Sequence, residues 1–162
     1  MSAVPIVPWL HVVPAHGGTV PVDLLLPRPG TTYTARLDGR EMRDADGTFQ
    51  QFYDGLKLPD SFGWNWDALS DCLRDLRWLS VDHHVVVIEA ADRALPDDAA
   101  ERRLLFETLL WAGRRWSFTR NPEGVESGRL VLVMTCDTAS VASLKDQLRS
   151  CLDATRPAPG RP

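Results

Sequence analysis

The sequence lacks the glycine signatures of nucleotide chemistry. There is no GxGxxG, no GxxxxGK[ST] and no GxSxG, so a dinucleotide site, a P-loop and a serine-hydrolase elbow are all without a motif. It lacks a basic excess: 18 Lys and Arg stand against 22 Asp and Glu, a net charge of −4 that gives nucleic acid no field to follow. It lacks a long apolar run, since nothing approaches the ~20 residues of a membrane helix. Cysteine is scarce. Cys72, Cys136 and Cys151 are odd in number and form no CxxC or Cys/His cluster, which speaks against zinc and for buried, reduced, unlinked thiols. His83 and His84 are adjacent rather than one helical turn apart, and they lead into a strand, so a metal role is disfavoured. The N-terminus has no basic stretch and is broken by Pro5 and Pro8, a poor secretory signal. A cytoplasmic protein is expected.

What is present is a core for one domain, with 44% hydrophobic residues in 162. Residues 1–30 hold six prolines and two apolar stretches, WLHVV and VPVDLLL, around AHGGT. These read as an extension that can pair as an edge hairpin, followed by a linker at 27–30. YTARLDG alternates and ends at a glycine, as a strand does. Phe49, Phe52, Tyr53 and Leu56 follow at helical spacing. HHVVVIEA is a β-branched run that suits a central strand covered on both faces, and RLVLVMTC reads as a second buried strand. Between them, LPDDAAERRLLFETLLWAGRRW is a helix with acidic residues early and Arg114 and Arg115 late, followed by the loop TRNPEGVESG. A last helix places Val141, Leu144, Leu148 and Cys151 on one face, with Asp137 or Thr138 as its cap. Alternating strands and helices predict a small α/β fold: a three-stranded parallel sheet with helices packed on it. The domain spans 31–136, with an additional C-terminal helix at 137–154 and a disordered Pro-rich tail at 155–162. A chain starting at Thr31 is expected to fold.

The stretch PDSFGWNWDALSD, residues 59–71, carries the chemistry. Asn65 is a good cap for a helix beginning at Trp66. At 100° per residue, Asp71 lies about 40° and Asp75 about 80° from Asp67, while Leu69, Cys72, Leu73 and Leu76 gather on the opposite side. The aspartates make one acidic ridge facing away from the core. A carboxylate in the first turn complements the helix dipole, which explains Asp67 alone. Asp71 and Asp75 repel their neighbours at i, i+4. Arg74 and Arg77, the basic residues nearby, project to one side. A solvated face is the ordinary reading of such a run, yet its place beside Ser61 and Trp64 points to something external. At least one of Trp64 and Trp66 should pack between loop and helix, and Gly63 permits a positive φ or a close backbone approach.

These residues resemble the barstar family of ribonuclease inhibitors. LDGREMRD and then LPDSFGWNWDALSDCL are similar to that family's first strand, first helix, binding loop and second helix, without a gap from Gly39 to Asp71. The resemblance implies that Asp67 and Asp71 are the inhibitory aspartates and that Gly63 and Asn65 lead into them. A cysteine at the place of Cys72 is shared. Ser61 stands where the family carries a contacting tyrosine and Ser70 where it carries a tryptophan. Asp75 and Leu76 replace a contacting glycine and tryptophan. The family's distal glutamate contact has no clear equivalent: Glu107 is about a turn early and Trp111 lies closer.

The implied partner is a secreted or toxin ribonuclease, barnase-like or guanyl-specific, bound by a monomer as a 1:1 complex. No direct nucleic acid, membrane or cofactor is implied. The candidate contact surface is Ser61, Gly63, Trp64, Asn65, Asp67, Ser70, Asp71, Arg74 and Asp75. Its rewritten rim points to an enzyme other than barnase. Two alternatives remain: an acidic interaction module with another target, or an enzyme using Asp67 and Asp71 as a carboxylate pair, for example with a divalent metal. No catalytic residue is nominated.

Overall fold

Residues 6–15, 30–117 and 129–155 are described by a computed structural model, and within them four extended segments pair in one sheet. The strands are β1 (Leu10–Pro14), β2 (Thr32–Asp38), β3 (His83–Glu89) and β4 (Arg129–Cys136). Their order is β1-β4-β3-β2 and every pairing is parallel. Parallel neighbours need crossovers, and the helices supply them. β3 is buried on both faces, as its unbroken β-branched run predicts. Val86 and Ile88 join the core beneath the helices, while Val85 and Val87 join Val131 and Val133 in a smaller cluster on the other face.

The sheet has four strands where three were expected. WLHVVP, read as one arm of a hairpin, instead pairs parallel with β4, from Leu10 opposite Leu132 to Pro14 opposite Cys136. Its alternation explains the choice: Leu10 and Val12 sink into the core beneath the helices, at 0% and 1% exposure. Pro14 is tolerated because β1 is an edge strand. Trp9 fits a notch made by a missing side chain, since a Cβ on Gly113 would lie 2.3 Å from Trp9 Cζ3. A chain starting at Thr31 would therefore lose a packed strand and a core tryptophan. The other arm of the hairpin, most of the linker, the 119–128 loop and the tail beyond Thr155 lie outside the described residues.

The helices are α1 (Ala45–Gly55), α2 (Trp66–Asp75), α3 (Ala99–Ser117) and α4 (Val141–Ala154). Asp44 caps α1 through its side chain, which accepts from Gly47 N at 2.8 Å. α4 begins later than expected. A 3-10 turn at Thr138–Ser140 comes first, and neither Asp137 nor Ser140 caps with its side chain. Its inner face is the expected one, with Leu144, Leu148 and Cys151 buried and Val141 half-buried. The three cysteines are free. No helix among the described residues is long and apolar enough to cross a membrane.

Candidate partner-binding site

α2 starts where Asn65 lets it. The Asn65 Oδ1 accepts from Ala68 N at 2.8 Å, and its Nδ2 donates to Gly63 O at 3.2 Å, so one side chain ties the loop to the first turn. Gly63 is small for that reason: a Cβ there would sit 3.3 Å from the Asn65 Nδ2. The positive φ anticipated at Gly63 falls on Trp64 instead, at +54°. At the other end Leu76 caps the helix at φ +52°, its N–H donating to Cys72 O. Two bulky residues in the left-handed region bracket one ten-residue helix. Each costs of order 1 kcal/mol and persists only because its surroundings impose it.

Those surroundings are aromatic. Tyr53 stacks on Trp64 at 5.2 Å, Trp64 meets Phe62 at 5.4 Å, Phe62 meets Phe49 at 6.1 Å, and Phe49 meets Trp66 at 4.8 Å. The chain of rings pins the loop to α1. Three indole N–H groups then fix the frame. Trp66 donates to Glu101 Oε2 at 2.7 Å, Trp116 to Leu73 O at 2.8 Å, and Trp78 to Leu56 O at 2.8 Å. The Trp116 bond satisfies a carbonyl that the last turn of α2 would leave without a helical partner. Trp66 is thus the packed tryptophan, and Trp64, at 40% exposure, presents much of its ring to solvent.

With Leu69, Leu73 and Leu76 at 0% exposure, α2 is held on one face, and Asp67, Asp71 and Asp75 are exposed on the other. The ridge exists as the spacing predicts, but its charge is partly answered. Arg74 pairs with Asp71, and Arg77 Nε reaches Asp75 Oδ1 at 2.6 Å. The expectation that both arginines project clear of the ridge fails: Arg74 lies about 20° from Asp67 and is an i,i+3 neighbour of Asp71, and Arg77 follows the end of α2, where the helical angle no longer applies. Asp67 has no ion-pair partner among the described residues. Ser61, Gly63 and Asn65 are exposed and Ser70 is half-buried. Cys72 is half-buried beside them. Burial, then the charges of Asp71 and Asp75, push its thiol up and favour the protonated form. Among the described residues no three His, Cys, Asp or Glu side chains gather as a metal site.

Residues 32–130, more than half of the chain, match the family model described as Barstar (barnase inhibitor). The chain belongs to the barstar family. No curated protein matches it. The barstar match runs from the start of β2 into the start of β4, so β1 and α4 lie outside it. The acidic helix and its loop lie well inside.

Several residues around this barstar-like surface escaped sequence reasoning. Tyr53, read only as one position of an amphipathic helix, backs Trp64 with its ring while its hydroxyl donates to Asp60 Oδ1 at 3.0 Å. Its amphipathic character was the available signal. Glu101, read as a dipole complement, is the acceptor for Trp66. On α3, Glu107 pairs with Arg103, and Trp111 is 50% exposed with Leu104 exposed on the same side.

Proposed function

We propose that this chain is a proteinaceous inhibitor of a barnase-like or guanyl-specific microbial ribonuclease, of the immunity or antitoxin type, acting as a monomer in a 1:1 complex. The observation that carries it is α2 itself: a helix clamped on one face by fully buried leucines and presenting Asp67, Asp71 and Asp75 on the other, inside a barstar match. A ribonuclease must hold a phosphate in a basic pocket. A carboxylate carried on a rigid helix can take that place and accept the same charge-assisted hydrogen bonds. Rigidity matters because ordering the ridge upon binding would subtract from affinity. Asp67 and Asp71 supply the central charges, and Asp75 extends the ridge. Ser61, Gly63, Trp64, Asn65 and Ser70 surround them, where contacts exclude water. The small Ser61 and Ser70 suit a target with bulkier side chains opposite. Complementary charge also speeds encounter, an effect for which barnase and barstar are the standard worked example.

Titrating the purified chain into a panel of barnase-like and guanyl-specific ribonucleases tests this. Stoichiometric inhibition of at least one, lost in Asp67→Asn and Asp71→Asn, is the expected result. Full inhibition by both variants would refute the phosphate-mimic mechanism.

A further inference from the structure

The exposed face of α2 is bipolar rather than acidic throughout. At 100° per residue, Asp67, Asp71 and Asp75 span about 80°, and Arg74 lies about 20° from Asp67 and 60° from Asp71, toward Trp66 and Leu73, which bond to α3. Arg74 bridges to Asp71 across i, i+3. Arg77 lies beyond the helix, and the left-handed Leu76 turns the chain so that Arg77 Nε meets Asp75. Two of the three ridge carboxylates are thus occupied by guanidinium groups from their own segment, and the strained cap helps deliver one of them. The pairs differ in exposure: Asp71 retains 71% of its side-chain surface and Asp75 43%. A partner can therefore approach both carboxylates, but it must exchange for a guanidinium already in place.

Taking the acidic ridge as the docking face argued above, we propose that Arg74 and Arg77 are selectivity residues: internal counter-ions that hold Asp71 and Asp75 until a partner offers a denser cationic site. An uncovered triple-aspartate ridge would attract any basic surface, since exposed charge attraction is long-ranged and indifferent to shape. An internal arginine lowers that indiscriminate attraction. A pocket placing several donors on one carboxylate can displace it, because its multiple charge-assisted bonds outweigh one exposed pair. The arginines thereby weaken loose binding more than tight binding.

The test uses a hexa-arginine peptide as an indiscriminate cationic probe, with binding to the full chain measured by fluorescence anisotropy at low salt. Arg74→Gln and Arg77→Gln are each expected to bind the peptide about threefold more tightly than wild type, the scale of one exposed pair. Arg43→Gln, an exposed arginine in the bend before α1, makes the same change in net charge and controls for it. The Arg74→Gln gain should vanish in an Asp71→Asn background, and the Arg77→Gln gain in Asp75→Asn. Gains no larger than that of Arg43→Gln, or gains that survive loss of the paired aspartate, overturn the proposal. Whether the ridge docks a ribonuclease is read separately, from inhibition by Asp71→Asn, so the two ideas fail by different measurements.

Discussion

In β1, Leu10 and Val12 are buried against β4 and Trp9 fills the notch at Gly113; in α4, Leu144, Leu148 and Cys151 are buried in the same core. Around α2 the choices run the other way. Three aspartates repel along one face, two bulky residues take left-handed backbone, and a tryptophan stays 40% exposed. Each feature of the flanks favours folding, whereas the left-handed residues and the crowded carboxylates of α2 oppose it, the latter only in part because Arg74 and Arg77 pair with two of them. Chains keep such departures where a site requires them. The flanks lie outside the family match and α2 lies within it, so the costly features of α2 fall in the part of the chain shared with the family.

Breaking the flanks should therefore cost stability, and breaking the ridge should cost binding. The largest effect is expected from removing residues 1–15, which takes away Trp9, Leu10 and Val12 and opens the edge of β4. Burying one such side chain contributes about 1.5–3 kcal/mol, so the three together exceed about 4 kcal/mol, a large share of a typical domain's stability. Chemical denaturation should show a strongly lowered midpoint, and light scattering should show association through the bare strand. An unchanged midpoint would mean that β1 adds nothing to the fold.

Asp71→Ala should do the reverse. Its carboxylate is exposed, and the loss of its surface pair with Arg74 is offset by relief from two like charges, so the melting temperature should change little. Against the cognate ribonuclease it should cost about 2–5 kcal/mol of binding, at least a hundredfold, because the target's cations are left unpaired. Asp75→Ala should cost less, since it lies further from the loop. If Asp71→Ala destabilises the fold as strongly as it weakens binding, the separation of roles is wrong.

How far this division was legible in the sequence depended on whether the signal was local. The acidic ridge, the Asn65 cap and the buried leucines follow from spacing within one helix, and all three are present. β3 and β4 were legible because short unbroken apolar runs, β-branched in β3, admit little else. β1 was harder: Leu10 and Val12 alternate correctly, but nothing local says whether a strand pairs with its sequence neighbour or with one more than a hundred residues away. The Arg74–Asp71 pair was legible from its i,i+3 spacing and was passed over; the Arg77–Asp75 pair was not, because Arg77 follows a left-handed residue that ends the helix. The left-handed Trp64 was missed because glycine is the usual occupant of that region and Gly63 was adjacent.

Trp64 sharpens the comparison at smaller scale. Glycine suits φ +54° and alanine does not, so Trp64→Gly should be more stable than Trp64→Ala by about 1 kcal/mol, the reverse of their order in ordinary backbone. Both should weaken binding similarly, because both remove the exposed ring. If alanine proves the more stable, the backbone at 64 is not held in the left-handed region.

The smallest expected effect lies in β1 and depends on pH. His11 is buried on the face opposite the helices, and its Nε2 has no hydrogen-bond partner among the described residues. Burial lowers its pKa below the ordinary 6.5, outweighing a backbone contact with Pro8 that acts to raise it. The folded chain therefore binds this proton less readily than the unfolded chain does. Stability from the neutral ring is complete above pH 6.5 and declines as pH falls through that value, until the folded state is itself protonated. Melting temperatures measured between about pH 5 and pH 8 should fall on the acid side, and His11→Gln should flatten part of that fall. His83 and His84 are present in both proteins, so the difference between the two profiles isolates His11. Parallel profiles would show that protonation at position 11 carries no cost, and that β1 is less firmly buried than its neighbours in the sheet.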